Sequence, residues 1–501
     1  MFSCHLGAAG DTCQAPHVTC IIVDDSGRVM KIVGIIGAGA SGLCAARHVL
    51  VTDGFTPVVW EQSSDLGGTW RLSDQVGTDT HGFNVHSSMY DSLRTDLPKV
   101  MMAFPDFAFP EEGESFVHHT AVLKYLEDYA HQYDLLSWIK FGHRVEKVCP
   151  VLKEEGPPSW DVTVKDIERD SSSTTTCDAL LVCNGHFTVP FQPHIEGIEE
   201  YRGQQVHSHD YRQPSPYTGS RVLVLGFGLS GLDISLELST VAEEVLLSHK
   251  LPVSFPSEMP PNIRQVPGVV KATQEGFEFA DGSWAQANSI LYCTGYKYNF
   301  PFLMEECGIQ VKDNCVKPLY KHLINSVYPS MALIGIPSRI IVFPIINYQV
   351  QYFIATLTGR VKLPTPEEMF TINHKIHKDW TEQGLQEKHF HMLNSDQWQY
   401  MEDLATEAGL VHPPPFLKKM WKIIMTRLFL SFPMFKGYDY SLNKDGTIVE
   451  ARNGQILNTS WDLGVLAVKQ LIRLVWRDFS RVMCLLGSLI IKKMKKLLYL
   501  S

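Results

Sequence analysis

Two stretches of this chain repeat one pattern: an apolar run, a glycine cluster, apolar residues at helical spacing, and a second apolar run. The first reads "KIVGIIG", "ASGLCAARHVL" and "TPVVWEQ"; the second reads "RVLVLGFG", "GLDISLELSTV" and "EVLLSHK". Short apolar runs bounded by glycine predict strands buried on both faces, as in a parallel sheet covered by helices. Between the two units, "HHTAVLKYLEDYAHQYDL" has helical spacing. "RVEKVCPV", "SWDVTVKD" and "DALLVCNG" predict three strands of a small antiparallel meander, broken by "EEGPPS" and "RDSSSTTT". After "SILYCTGY" the chain turns Pro- and aromatic-rich with mixed helix, and no fixed-period repeat is visible.

The two ends follow other patterns. Residues 1–29 show no periodicity, and two expectations stay open: a loosely ordered lead, or Met30 as an alternative start. The N-terminus lacks a basic start followed by an apolar core, so no secretory signal is expected. In the last segment, 456–501, Lys469, Arg473, Arg477 and Arg481 recur every four residues, while Leu471, Val475, Phe479, Val482, Leu486 and Ile490 take another face. Lys492, Lys493, Lys495 and Lys496 follow. This predicts a basic amphipathic helix, either packed on its own domain or attached peripherally to an anionic membrane surface. Only ten uncharged residues separate Arg481 from Lys492, well short of the roughly 20 that span a bilayer.

Composition narrows the partners. The 501 residues carry a net charge of −10, which argues against a general nucleic-acid binder. The 11 cysteines form no CxxC pair, and several sit in apolar runs; reduced, buried thiols fit better than a disulfide framework. His374–His377 and His389–His391 are expected to be exposed helix histidines, and no metal is expected. HExxH, GxSxG and Walker patterns are absent from the sequence.

The glycine clusters carry the chemistry. Gly37, Gly39 and Gly42 fit GxGxxG after a strand and at the start of a helix, with Ala38, Ala40 and Ser41 between them. The first glycine permits the tight turn, the second lets backbone approach a pyrophosphate, and the third lets helix and strand pack closely. The helix start then offers free N–H groups to the phosphates. Glu61 closes the next strand, where a carboxylate accepts bonds from a ribose 2′-hydroxyl and repels a 2′-phosphate, so this site favours FAD or NAD. Gly226, Gly228 and Gly231 repeat the pattern, with Ser230, Leu232 and Asp233 opening the helix. There the strand ends in Ser248, His249 and Lys250. A hydroxyl and two potential cations suit a 2′-phosphate, hence NADPH. Opposite chemistry at two sites implies two nucleotides held at once, a resident flavin and a nicotinamide that reduces it. Disulfide reductases also carry two such sites, but the first cysteine after Cys44 is Cys149, with no redox pair following the first unit.

Further motifs sharpen this. Tyr201, Gly203, His207 and Tyr211 stand as FxGxxxHxxxY before the second glycine loop, with Tyr for the first Phe. "GGTW" occupies 67–70, "YDSLRTDLPKVMMAFPDFAFP" 90–110, "VCNGH" 182–186 and "CTGY" 293–296. With these motifs the chain resembles the flavin-containing monooxygenases, class B flavoproteins of the N-/S-oxygenating type, over roughly residues 31–450. The resemblance implies an α/β fold with two Rossmann-like domains, the NADP domain inserted in a discontinuous FAD domain. Its parts would be an FAD part at 30–186, an NADPH domain at 187–295, and a second FAD part at 296–455. It implies FAD and NADPH as cofactors, O2 as co-substrate, and oxygenation of a soft amine nitrogen or sulfide through a flavin C4a-hydroperoxide. It also implies attachment to the cytosolic face of the endoplasmic reticulum, with the cytosol as the alternative. Gly68, Thr69, Trp70, Thr95, Leu97, His207 and Gln351 are expected near the cofactors.

One position departs from the pattern. Asp96 stands where the family has an Asn beside the flavin, and an ionised carboxylate cannot donate a hydrogen bond. Two expectations follow: burial keeps Asp96 protonated and the enzyme active, or the site leaks peroxide as an NADPH oxidase. A Baeyer–Villiger enzyme is a further alternative on the same fold, against which Tyr211 counts, since those relatives generally carry Trp there. A flavoprotein without efficient oxygenation also stays open.

Overall fold

The computed structural model describes residues 3–6, 17–21, 27–250 and 259–459. Among these, seven strands form the larger sheet, in the order Leu319–Tyr320, Ile324–Asn325, Met331–Leu333, Ala179–Val182, Lys31–Ile36, Phe55–Trp60 and Ile139–Lys140. From Met331–Leu333 onward the neighbours run parallel. Apolar residues of Lys31–Ile36 and Ala179–Val182 are buried on both faces, as continuous Val/Ile/Leu runs require. A second sheet of five parallel strands, in the order Gln204–His207, Ser289–Tyr292, Arg221–Leu225, Glu244–Ser248 and Ile263–Val266, lies between the two halves of the first in sequence. This is the α/β architecture that the resemblance implied, one sheet domain inserted within another.

The two passages between the sheets are joined to each other. Val189–Pro190 pairs antiparallel with Tyr296–Lys297, and Phe191 N–H donates to the Gly295 carbonyl at 2.9 Å. The outgoing and returning chains therefore form one short ribbon, which fixes how the smaller sheet leaves the larger.

The meander differs from its sequence expectation. His143–Val151 and Ser159–Asp166 pair antiparallel as expected, but the third strand is Ser171–Cys177, the segment read as a break. Thr174 and Thr175 are buried there; β-branched threonines fit a half-covered pleated surface despite their polarity. "ALLV" is buried at every position and joins the parallel sheet instead. The N-terminal lead, without visible periodicity, contributes Ser3–Leu6 and His17–Ile21, which pair with each other, and His17–Val18 pair with Thr174–Thr175. Backbone pairing needs no hydrophobic period, so the pattern could not reveal it. The expected C-terminal helix of 456–501 lies, from residue 460 on, outside the described residues. Among the described residues no helix is long and apolar enough to cross a membrane.

Candidate active site

Both glycine loops are built on one plan, and the plan is steric. A β-carbon on Gly37, at φ +101°, would fall 2.7 Å from the Cys183 carbonyl oxygen; one on Gly226, at φ +125°, would fall 2.3 Å from the Cys293 carbonyl oxygen. Each first glycine thus packs on the strand end from which a passage to the other sheet departs. The third glycines, Gly42 and Gly231, press against the first: their β-carbons would lie 1.8 Å from Gly37 O and 2.2 Å from Gly226 O. The middle ones face open space or another glycine. Gly228 has nothing within 4 Å, and Gly39 looks onto Gly68 at 3.5 Å. Helices Ala40–Leu50 and Leu229–Leu238 start directly at Gly39 and Gly228, with no acidic side chain in either first turn. Free N–H groups and open space at that point suit the pyrophosphate of a dinucleotide.

A cavity of about 410 Å³ opens at the first loop. Gly37, Gly39, Ala40, Ser41, Glu61, Gly68, Thr69 and Trp70 line it, so most of the expected first-site residues meet there. Ala38 and Gly42 act from behind as buried packing. Glu61 is buried; its Oε2 accepts from Ala38 N–H at 2.8 Å, and its Oε1 from Ser63 N–H at 2.8 Å and Ser63 Oγ–H at 2.6 Å. The carboxylate is thereby fixed in the wall, with lone pairs left for ribose hydroxyls. The residues fit FAD in its adenosine and pyrophosphate parts.

Sequence reasoning missed several wall residues. Arg144 follows the first meander strand's start, and its guanidinium stacks 3.9 Å from the centre of the Phe83 ring. His86 Nδ1 meets Thr188 Oγ1 at 2.9 Å, and both line the cavity. His186 also lines it; burial lowers its pKa to about 4, partly offset by a hydrogen bond with the Gly335 backbone. Phe343 and Ile346 enter from helix Val342–Leu357, where Phe343 meets Trp70 edge-on at 6.4 Å. Of these, only His186 falls in a quoted motif, "VCNGH" at 182–186; Arg144 lies in a strand and Phe343 and Ile346 in a helix, and no motif singled them out.

Comparison with known proteins decides the family. The family model described as flavin-binding monooxygenase-like matches residues 30–253 and 257–491. The chain belongs to that family. It is 37% identical over 395 residues to flavin-containing monooxygenase FMO GS-OX5 of Arabidopsis thaliana, covering 75% of this chain and 84% of that protein. Among solved structures it is similar to S-allyl-L-cysteine S-oxygenase from Allium sativum, at 32% identity and TM-score 0.76, over 81% of this chain and 95% of the other. Tmm from a Pelagibacter species shares the fold, at TM-score 0.72 and 24% identity over 83% of this chain and 95% of the other. The protein is therefore a flavin monooxygenase, and its cofactors are FAD and NADP(H).

In this flavin monooxygenase the residues of the FxGxxxHxxxY pattern brace the scaffold. Tyr201 is buried in the core of the smaller sheet, with its OH donating to Ala287 O at 3.0 Å. Gly203 leaves room for it, since a β-carbon there would fall 2.2 Å from the Tyr201 hydroxyl. His207 Nδ1 accepts from His209 N–H at 3.0 Å, so Nε2 carries the proton and donates to Gly295 O at 3.0 Å. His207 thus pins the returning passage and spends both ring nitrogens inside the protein. Tyr211 OH donates to Glu237 Oε2 at 2.9 Å on the second glycine helix.

Several expected contacts are placed elsewhere. Gln351 does not line the cavity; Phe343 and Ile346 do, and Gln351 lies on another side of the same helix. Its neighbour Gln349 is the buried one, accepting from Gly335 N–H at 2.9 Å and donating to Tyr400 OH at 2.8 Å. Ser248 is fully buried and its hydroxyl donates to Pro267 O at 2.8 Å, so it is spent on the strand end; Lys250 is exposed there, and His249 is buried with Nε2 3.0 Å from Gln265 Oε1. Ser230 is exposed beside Gly228, while Leu232 is core. Thr95 is buried, and its Oγ1 accepts from Val117 N–H at 3.1 Å; Leu97 packs beside the core. His391 is not an exposed helix histidine. It is 2% exposed, with Nδ1 2.9 Å from His322 Nδ1 and Nε2 accepting from Val316 N–H. Among the described residues no group of His, Cys, Asp and Glu is placed to hold a metal.

Asp96 does not line the cavity. Its Oδ1 lies 2.9 Å from Lys436 Nζ, and Lys436 also pairs with Asp233 Oδ2. Asp96 therefore stands beside an ammonium, in an ion-pair contact with Lys436. Asp233, expected at the nucleotide, faces this same lysine, and burial with the charge of Asp96 raises its pKa to about 6 against the pull of Lys436.

Proposed function

We propose that this flavin monooxygenase oxygenates soft nucleophilic sulfur, and secondarily nitrogen, of small molecules at the expense of NADPH and O2. In balance, one thioether, one O2, one NADPH and one proton give one sulfoxide, one water and one NADP⁺. FAD, when bound, would supply the two-electron reduction of dioxygen and the transfer of one of its oxygen atoms to the nucleophile, the other leaving as water. The chain's own residues bind, orient and exclude water. Glu61 and the Gly37–Gly42 cradle hold the flavin nucleotide, and the Gly226–Gly231 loop with Lys250 holds NADPH. Trp70, Phe343 and Ile346 keep an apolar wall on the cavity.

The observation that carries this reading is the asymmetry of the two strand ends: a buried carboxylate at Glu61 and a His–Lys end at the second. Sulfur is put first because the structurally similar Allium protein is an S-oxygenase. Purified FAD-loaded protein given a thioether, a tertiary amine or a cyclic ketone separates the readings. Sulfoxide formed with matching NADPH use supports the proposal; lactone from the ketone favours a Baeyer–Villiger enzyme. The pairing of Asp96 with Lys436 favours a second reading, an NADPH oxidase in which NADPH, a proton and O2 give NADP⁺ and hydrogen peroxide; peroxide equal to NADPH consumed, with every substrate, would establish it. For location we propose the cytosolic face of the endoplasmic reticulum through the basic C-terminal segment, with the cytosol as the alternative.

A further inference from the structure

Lys436 joins three remote parts of the chain through one nitrogen. Its Nζ donates to Arg94 O at 3.1 Å, lies 2.9 Å from Asp96 Oδ1, and contacts Asp233 Oδ2. An ammonium has three protons; Lys436 donates to Arg94 O and to Asp233 Oδ2, and it meets Asp96 Oδ1 as an ion pair. The side chain is only 13% exposed. Arg94 and Asp96 belong to the segment leading into Pro98 and Lys99, which is part of the flavin module. Asp233 belongs to helix Leu229–Leu238, whose start at Gly228 is the second nucleotide loop. Lys436 itself sits in the turn Met434–Gly437, after helix Pro415–Ser431. The charges do not balance: two carboxylates share one cation. An interior built for stability alone would avoid that. Glu237, which accepts from Tyr211, lies one helical turn beyond Asp233 and adds a third carboxylate near the same junction.

We infer that Lys436 is a positioning residue for the second nucleotide. By clamping the helix that begins at Gly228 to the Arg94–Asp96 segment, it sets how the NADP loop stands relative to the flavin module. Without Lys436, Asp96 and Asp233 face each other unpaired, the helix swings from the Asp96 segment, and the nicotinamide loses its place. The inference rests on the reading that the second loop holds NADP(H). The clamp acts through backbone placement, not by contact with either cofactor.

The test compares wild type, Lys436→Met, Lys436→Met/Asp233→Asn and Asp233→Asn. For each, FAD content is read from absorbance, fold from thermal unfolding, and NADP⁺ dissociation by titration calorimetry on the flavin-loaded protein. The KM for NADPH is measured separately from kcat. Lys436→Met is expected to keep FAD while weakening NADP⁺ about 10-fold, within the usual range for coupled sites, with KM rising more than kcat falls. The double variant, which removes one stranded carboxylate but leaves the helix unclamped, is expected to recover only part of that loss. Unchanged NADP⁺ affinity in a folded, FAD-loaded Lys436→Met protein overturns the inference, as does a double variant that binds NADP⁺ as tightly as wild type. If Lys436→Met does not fold, Asp233→Asn carries the test: it loosens the helix while leaving the Lys436–Asp96 pair. Weaker NADP⁺ binding there supports the clamp and unchanged binding overturns it. Failure of wild type to bind NADP⁺ at all would instead remove the two-nucleotide reading on which the clamp rests.

Discussion

Gly42 lies against Gly37 so closely that a β-carbon on it would fall 1.8 Å from the Gly37 carbonyl oxygen, and Gly231 repeats this against Gly226 at 2.2 Å. Backbone on both sides cannot yield, so the loops should respond separately to the same small change. Gly42→Ala is expected to leave protein without bound FAD. Gly231→Ala is expected to retain FAD but lose tight NADPH use. Flavin absorbance after purification and the KM for NADPH distinguish the two; a flavin-loaded Gly42→Ala protein would break the assignment of the first loop.

Glu61 receives three hydrogen bonds, from Ala38 N–H, Ser63 N–H and Ser63 Oγ–H. Glu61→Gln keeps the shape but turns one acceptor oxygen into a donor that faces other donors. Leaving buried donors unmatched costs about 1–3 kcal/mol, so FAD affinity should fall by about 10- to 100-fold. Equilibrium dialysis of deflavinated protein against FAD measures it.

Buried neutral histidines should make the fold acid-sensitive. Burial lowers the pKa of His48 and of His207 to about 4, against about 6.5 in the unfolded chain. Between those values the unfolded state binds more protons, so stability is full above pH 6.5 and is lost as pH falls toward 4. Each contributes a loss on the order of 3 kcal/mol once both states are protonated. Thermal midpoints measured from pH 7.5 to 4.5 should fall, with a shallower fall in His207→Gln.

Asp233 acts in the opposite sense. Its folded pKa of about 6 is raised by burial and by Asp96, so the native state holds the extra proton. Its contribution is greatest at low pH and is lost as pH rises through about 6. Asp96→Asn removes the like charge and should shift this loss to lower pH. Comparing the pH dependence of thermal midpoints in wild type and Asp96→Asn reads the shift; superimposable curves would separate Asp96 from Asp233 energetically. If the NADPH-oxidase reading holds, the same Asp96→Asn protein should also change the fraction of NADPH electrons recovered as peroxide.

The basic segment near the C-terminus gives a separate expectation. Replacing Lys469, Arg473, Arg477 and Arg481 by Gln should release the protein from vesicles containing anionic lipid, since each such charge contributes roughly 1 kcal/mol near the surface. Flotation with neutral and with anionic vesicles measures this. Equal flotation of both proteins would assign the segment to packing on its own chain.

The sequence by itself determined the two glycine turns, the parallel strands beside them and the carboxylate at Glu61. Those features are local: strand burial shows as an apolar run, and a turn too tight for a β-carbon leaves only glycine. Tertiary structure decided what each remaining polar residue touches. Ser248 read as a phosphate ligand and became a strand-end bond to Pro267; Gln351 yielded its place beside the core to Gln349 because helical rotation, not proximity in sequence, chooses the face. Asp96 read as a departure beside the flavin; what the sequence did not reveal is its contact with Lys436, some 340 residues on. An ion pair across that separation leaves no periodic trace along the chain, because only the packing of three segments brings the charges together.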